Sequence, residues 1–133
     1  MSARPTSQRL PMVLIVENDR DTREMYAELL ACSGVQVVQS ETADDAIEKA
    51  YGLRPDIITM DIGLGGLKDG CQVTAELKLD ARTRHIPVVA LTAWAMGGHV
   101  ERARAAGCDA VLIKPTLPEA LLAEIFRLLD VSS

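Results

Sequence analysis

Cysteine and histidine are scarce in this chain of 133 residues, which contains three cysteines and two histidines. The cysteines are odd in number and scattered, and they show neither CxxC spacing nor a histidine at metal-binding spacing. We therefore interpret Cys32, Cys71 and Cys108 as small buried hydrophobic residues. His85 and His99 stand alone and are interpreted as surface or boundary residues. The sequence thus predicts no cysteine or histidine metal site.

Long apolar runs and an excess of positive charge are also missing. No run approaches the ~18 apolar residues of a membrane span, and residues 1–10 lack the apolar core of a signal peptide. The net charge is −5, from 14 basic and 19 acidic residues, so no cationic field is available to hold a phosphate backbone. These absences predict a cytoplasmic protein that binds neither nucleic acid directly nor a membrane.

What is present has the length and composition of one globular domain, with 48% hydrophobic and 25% charged residues. The sequence contains no internal repeat, low-complexity segment or linker. We divide it into a flexible N-terminal segment at residues 1–11, one domain at residues 12–130 and a C-terminal tail at residues 131–133.

Short apolar runs alternate with helical patterns along the chain. The runs predict strands at residues 12–16, 35–38, 56–61, 87–92 and 110–113. The run ending at Asp61 shows no alternation of apolar and polar positions, which is typical of a strand covered on both faces. Because short connections between parallel strands require right-handed crossovers, the pattern predicts a doubly wound α/β fold with a parallel five-stranded sheet between two helical layers.

Each helical pattern carries an apolar face and a start signal. The expected buried faces are Met25, Leu29 and Cys32 in the first helix, Ala43, Ala46, Ile47 and Ala50 in the second, Val73 and Leu77 in the third, and Leu121, Ile125 and Leu128 in the last. The expected capping boxes are Asp21 with Glu24, Thr42 with Asp45, and Thr116 with Glu119.

Polar side chains stand at the carboxyl ends of four predicted strands. They are Glu17, Asn18, Asp61, Thr92 and Lys114. In a parallel sheet such ends face the crevice where ligands bind. Each has an ordinary alternative taken singly: a strand-end hydroxyl for Thr92, a solvated cation for Lys114, and a helix N-terminus enriched in acids for residues 17–21.

The motifs in order resemble the response-regulator receiver domain of two-component signalling. They are Val-Glu-Asn-Asp at 16–19, Pro-Asp-Ile-Ile-Thr-Met-Asp at 55–61, Asp-Gly at 69–70, Leu-Thr-Ala at 91–93, Gly-Cys-Asp-Ala at 107–110 and Lys-Pro at 114–115. The resemblance covers nearly all of residues 12–130. It implies a (βα)5 three-layer sandwich with strand order 2-1-3-4-5.

The resemblance also implies roles for individual residues. Asp61 would be the phosphoacceptor, with Thr92 and Lys114 binding phosphoryl oxygens, and the Lys114–Pro115 peptide would be cis. The implied Mg²⁺ ligands are Glu17, Asn18, Asp61 and the carbonyl of Gly63. The implied donor is a histidine kinase or histidine phosphotransfer protein, and the output surface would be helix 4, strand 5 and helix 5. Beyond Mg²⁺-dependent phosphorylation and dephosphorylation of itself, no enzyme activity is expected.

Three positions depart from the family pattern. Asn18 replaces a metal-binding acid, and Asp19 beside it is expected to point elsewhere. The loop after Asp61 is one residue longer than usual and lacks its proline. Val111 replaces the aromatic residue that swings inward, while Trp94 at the site's rim either shields the site, docks a partner or is an ordinary packing residue.

Two alternatives to a phosphoacceptor follow. The departures at Asn18 and Val111 are compatible with a pseudo-receiver, a phosphorylation-independent protein-interaction module of the same fold. A flavodoxin-like cofactor binder is disfavoured, because acids rather than a phosphate-cradling loop follow the first strand.

Overall fold

The computed structural model describes residues 10–94 and 96–132, in which five strands and five helices alternate. The strands are β1 (Met12–Val16), β2 (Gln36–Ser40), β3 (Ile57–Asp61), β4 (Val88–Thr92) and β5 (Ala110–Ile113). The helices are α1 (Arg20–Cys32), α2 (Ala43–Leu53), α3 (Gly70–Leu79), α4 (His99–Ala106) and α5 (Pro118–Ser132). Most of the predicted N-terminal segment, residues 1–9, lies outside the described residues.

The strands form one parallel sheet in the order β2-β1-β3-β4-β5. The chain moves from β1 outward to β2, and then back past β1 to β3, so the direction of winding reverses between β1 and β3. At this reversal the ends of the two strands separate and leave a crevice. The doubly wound fold and the strand order expected from the sequence are both confirmed.

Each face of the sheet carries its own apolar core. On one face Leu14, Ile58 and Met60 pack with buried residues of α2, α3 and α4. On the other face Val13 and Ile57 pack with buried residues of α1 and α5. Every residue of β3 and β4 is buried, which explains why these strands show no alternation in the sequence. The expected apolar faces of α2, α3 and α5 lie in these cores.

The buried face of α1 is not the one expected. Tyr26, Ala27 and Leu30 pack into the core, whereas Met25 and Cys32 are exposed. Tyr26 and Leu30 are offset by one position from Met25 and Leu29 and have the same i, i+4 spacing, so periodicity alone does not distinguish the two pairs. The interpretation of Cys32 as a buried residue is therefore wrong, while Cys71 and Cys108 are buried as expected.

Helix starts agree with the expected caps only in part. Thr42 caps α2 by accepting a hydrogen bond from the Asp45 backbone N–H. Helix α1 begins earlier than the expected box, because Asp19 is its N-cap and accepts from the Thr22 backbone N–H at 2.9 Å. At α5, which begins at Pro118, the Thr116 hydroxyl instead donates to the Ile113 carbonyl at 2.9 Å.

Two other boundaries differ from the expected ones. Strand β2 covers Gln36–Ser40 rather than residues 35–38, and α5 continues two residues into the segment that we assigned to a C-terminal tail. Within the described residues, no helix combines the length and the apolar character needed to cross a membrane.

Helix α3 begins directly against the end of β3. Asp69 and Gln72 form a capping box there, each side chain bonding the backbone of the other residue. Gly70, the first residue of α3, lies so close to β3 that a Cβ atom would collide with the Asp61 carbonyl oxygen and with Cα of Ile62. The absence of a side chain at position 70 therefore sets how closely α3 approaches Asp61.

Candidate functional site

A cleft of about 470 Å³ lies at the carboxyl ends of β1, β3, β4 and β5. It brings together all the site residues expected from the sequence, namely Glu17, Asn18, Asp61, Gly63, Thr92 and Lys114. Its wall also includes Asp69, Trp94, His99 and Arg102. The convergence follows from the parallel sheet, because each strand delivers its last residues to the same edge.

Lys114 joins the two buried carboxylates of the cleft. Its Nζ lies 3.0 Å from Oε1 of Glu17 and 3.3 Å from Oδ1 of Asp61. Burial lowers the Lys114 pKa, but the hydrogen bond to Glu17 and the charges of both acids outweigh burial and hold it above its usual value. Lys114 therefore stays protonated and offsets one of the two negative charges. The Lys114–Pro115 peptide is cis, as the sequence resemblance implied.

Glu17 is buried, with 2% of its surface exposed, and its carboxylate has two partners. Besides Lys114, its carboxylate accepts a hydrogen bond from the Asp19 backbone N–H at 3.1 Å. Burial first, and then the hydrogen bond with Asp61 and its charge, raise the pKa of Glu17 above its usual value. The burial that raises this pKa and the neighbouring Asp61 carboxylate both favour a cation beside Glu17, and Lys114 supplies one.

Asp61 ends β3 and is 5% exposed. Its Oδ1 accepts a hydrogen bond from the Gly63 backbone N–H at 3.0 Å, which orients the carboxylate toward the cleft. Gly63 therefore lies next to Asp61 even though the following loop is longer than the family pattern. This contact uses the Gly63 N–H, so the role of the Gly63 carbonyl as a Mg²⁺ ligand stays a prediction.

Thr92 ends β4 with its hydroxyl buried in the cleft. The hydroxyl oxygen accepts a hydrogen bond from the Trp94 backbone N–H at 3.1 Å. Accepting this bond does not use the hydroxyl proton, which can still be donated to a group bound in the cleft. Thr92 is therefore equipped as a donor at the position that the sequence indicated.

Asn18 contributes an amide at the position where the family has an acid. Its Nδ2 donates to the Leu64 carbonyl at 3.1 Å, so the amide oxygen is the atom that Asn18 has left for a cation. Asp19 also lines the cleft, but one oxygen of its carboxylate, Oδ2, caps α1 by accepting from Thr22. The expectation that Asp19 points elsewhere agrees with this cap and stays a prediction for metal binding.

The oxygen atoms of the cleft match the chemistry of Mg²⁺. Glu17 and Asp61 offer carboxylates, Asn18 an amide oxygen and Gly63 a backbone carbonyl, and Mg²⁺ prefers such hard oxygen ligands. Across residues 10–94 and 96–132, no group of three or more His, Cys, Asp or Glu side chains is placed to hold a metal. The donor set thus fits Mg²⁺ with two formal negative charges rather than three.

The rim contains two side-chain pairs that the sequence did not predict. Trp94, 66% exposed, stacks on His99 with ring centroids 6.1 Å apart. Arg102 of α4 forms an ion pair with Asp69, the N-cap of α3, at 2.6 Å. The Asp-Gly motif marked Asp69, but only the packing of α3 against α4 reveals its partner.

Val111 lies in β5 and packs against the core formed with α2, α3 and α4. It is half-buried, and its short side chain stays on that face of the sheet. No aromatic ring is therefore available at this position.

Comparisons with known proteins agree with the geometry. A family model for the response regulator receiver domain matches residues 13–126. The polar-differentiation response regulator DivK of Brucella anthropi is 41% identical over 103 residues, which cover 77% of this chain and 83% of that protein.

Solved structures show the same fold. The signal receiver domain of a signal transduction histidine kinase from Syntrophus aciditrophicus is 29% identical, with a TM-score of 0.84 and 91% of each chain covered. The chemotaxis protein CheY4 of Vibrio cholerae, 24% identical, covers 90% of this chain and 98% of its own with a TM-score of 0.83.

Proposed function

Because this chain belongs to the response regulator receiver domain family, we propose that it accepts a phosphoryl group on Asp61. The donor would be a histidine kinase or a histidine phosphotransfer protein. The observation that carries the proposal is the placement of the Asp61 carboxylate, which the Gly63 N–H orients and Lys114 contacts inside an open cleft.

In the transfer step, a carboxylate oxygen of Asp61 forms a bond to the phosphorus of a phosphohistidine. The phosphorus–nitrogen bond breaks, and the donor imidazole leaves with its electron pair and takes up a proton. Asp61 becomes an acyl phosphate. No oxidant or further reactant is needed, and the residues of the cleft act by position and charge.

Lys114 and Thr92 would stabilise the transferred group. The Lys114 ammonium, now divided between Glu17 and Asp61, is within reach of a phosphoryl oxygen on Asp61. The Thr92 hydroxyl would donate its free proton to another oxygen. Bound Mg²⁺ would neutralise charge between the carboxylates and the phosphoryl group, held by Glu17, Asn18, Asp61 and the Gly63 carbonyl.

The output surface would comprise α4, β5 and α5. Exposed apolar residues of these elements and their connection are Ile113 in β5, Leu117 just before α5, and Phe126 in α5. The Lys114 backbone N–H donates to the Thr92 carbonyl at 2.7 Å, so the ends of β4 and β5 that carry the two phosphoryl-binding side chains are joined. The downstream protein partner is not identified, and the cytoplasmic location stays a prediction.

The second candidate is a pseudo-receiver that binds partners without phosphate. Two observations favour it: Asn18 lowers the negative charge of the metal site, and Val111 provides no aromatic side chain to move. In either case we propose no enzyme activity beyond phosphorylation and dephosphorylation of Asp61 itself.

Intact mass after incubation with Mg²⁺ and acetyl phosphate separates the two candidates. The first predicts one phosphoryl adduct that is absent from Asp61→Asn and retained in Asp44→Asn, a control at an exposed carboxylate on α2. An adduct should also form from a phosphorylated histidine phosphotransfer protein. No adduct from either donor, in protein that is folded by circular dichroism, would favour the pseudo-receiver.

A further inference from the structure

The cleft contains a second cationic side chain that the proposed chemistry has not used. Lys114 and Arg102 are the lysine and arginine side chains that line it among the described residues. Arg102 comes from α4, and its side chain is half exposed. It reaches the cleft by its ion pair with Asp69, which is fixed on the backbone as the N-cap of α3.

The ammonium of Lys114 already forms ion pairs with two carboxylates. Lys114 contacts Glu17 and Asp61, whose two negative charges exceed its single positive charge. A phosphoryl group on Asp61 would add about 1.5 to 2 further negative charges and three strong acceptor oxygens. Bound Mg²⁺ would balance part of this negative charge. Asn18, however, offers Mg²⁺ an uncharged amide oxygen where the family has a carboxylate. The phosphorylated cleft therefore gains from another cation.

Arg102 has the donors to serve in this way without leaving Asp69. A guanidinium has five N–H groups in a planar fork, and the ion pair with Asp69 is made through one terminal nitrogen. The remaining N–H groups can be donated to a phosphoryl oxygen while Asp69 fixes the orientation of the fork. An arginine that binds a carboxylate on one edge and a phosphate on another uses its geometry fully.

We propose, on the basis of the function proposed above, that Arg102 is a second phosphoryl-binding cation, positioned by Asp69. It contacts the phosphoryl group on Asp61 from the α4 side, while Lys114 contacts it from β5. The role belongs to this chain's own side chains and does not require the acid that Asn18 replaces.

The contact would also connect the phosphoryl group to the output surface. Helix α4 has few anchoring contacts, since Ala103 is its one buried residue and its N-cap, Gly98, has no side chain to cap the first turn. A helix with so few anchoring contacts shifts at low cost. Arg102 would thus draw α4 directly toward the cleft. This coupling between the phosphoryl group and α4 needs no aromatic residue at position 111, where this chain has valine.

Binding of beryllofluoride, a phosphoryl mimic, tests the proposal by calorimetry at saturating Mg²⁺. We expect Arg102→Gln to weaken beryllofluoride binding by about tenfold, as the loss of one charge-assisted contact at a half-exposed site predicts. Arg102→Lys should recover part of the loss, because it keeps the charge but not the fork. Arg104→Gln, an exposed residue of the same helix, should bind as the parent does.

A Mg²⁺ titration without beryllofluoride distinguishes contact from structural damage. Arg102 is not a metal ligand, so its replacement should leave Mg²⁺ affinity unchanged or slightly higher. Parallel losses of Mg²⁺ and beryllofluoride affinity in Arg102→Gln would overturn the proposal, because they indicate a distorted cleft. Equal beryllofluoride affinity in Arg102→Gln and the parent would also overturn it, and would leave the phosphoacceptor function standing. If the parent protein binds no beryllofluoride and forms no phosphoryl adduct, both the phosphoacceptor function and the role of Arg102 are overturned.

Discussion

Replacing Asn18 by aspartate restores the acid that the family usually has, and the structure indicates a cost as well as a gain. The Asn18 amide donates to the Leu64 carbonyl at 3.1 Å, and Leu64 is buried. An aspartate cannot donate this bond, and it places a third carboxylate beside Glu17 and Asp61. We therefore expect Asn18→Asp to be less stable than the parent without metal and to bind Mg²⁺ more tightly.

The magnitudes follow from these contacts. Loss of the hydrogen bond should cost about 1 kcal/mol. Repulsion from a carboxylate about 4 Å away, roughly 4 kcal/mol at an effective dielectric near 20, is reduced by Lys114 and by solvent to about 1 kcal/mol. A total of about 2 kcal/mol should lower the melting temperature by roughly 6 to 10 °C for a domain of this size. With saturating Mg²⁺, about tenfold tighter binding would return about 1.4 kcal/mol.

Thermal melts in chelator and in excess Mg²⁺, together with Mg²⁺ titrations by calorimetry, measure both effects. Asn18→Ala is the matched control, since it removes the same hydrogen bond without adding charge. It should lose about 1 kcal/mol in chelator and gain nothing from Mg²⁺ beyond what the parent gains. The reasoning is refuted if Asn18→Asp melts in chelator at the same temperature as Asn18→Ala and binds Mg²⁺ no more tightly than the parent.

Three further predictions concern other residues of the site and the core. The pKa of Glu17 is raised above 4.5 in the folded chain, so ionising it costs stability. In chelator, the free energy of unfolding of the parent should therefore fall relative to that of Glu17→Gln as pH rises from 4.5 through the raised pKa; a difference independent of pH would contradict this. The buried Thr59 hydroxyl is the one buried side-chain polar atom without a partner among the described residues, whereas the Thr74 hydroxyl donates to the Gly70 carbonyl at 2.9 Å. In urea unfolding, Thr59→Val should gain about 1 kcal/mol and Thr74→Val should lose about 1 to 2 kcal/mol, and equal effects would argue against this assignment. Trp94 fluorescence should change when Mg²⁺ and beryllofluoride bind, since its backbone bonds Thr92 and its ring stacks on His99. An unchanged emission spectrum in protein that binds both by calorimetry would rule out this coupling.

Most of the fold could be predicted because its signals are local. Apolar runs located the strands, and Thr42 caps α2 as its hydroxyl and position suggested. The predicted face of α1 was wrong because Met25 and Leu29 repeat with the same period as Tyr26 and Leu30. Only the docking of the helix on the sheet determines which set is buried.

The candidate site divides in the same way. Asp61, Thr92 and Lys114 could be found because each stands at the carboxyl end of a strand, and strand ends meet at one edge of a parallel sheet. The bond from Asn18 to Leu64 and the pair of Asp69 with Arg102 join segments far apart in the sequence. Their existence depends on the path of the loop after β3 and on the packing of α3 against α4, which no local pattern specifies.

The close approach of α3 to the end of β3 limits how this chain can diverge. At Gly70 even a methyl group would meet the Asp61 carbonyl and the Ile62 backbone, and neither can move without displacing Asp61. Gly65 in the preceding loop has open space around it and needs only a left-handed backbone, which asparagine can also adopt. Drift in sequence can therefore change Gly65, whereas Gly70 stays glycine for as long as α3 lies this close to Asp61.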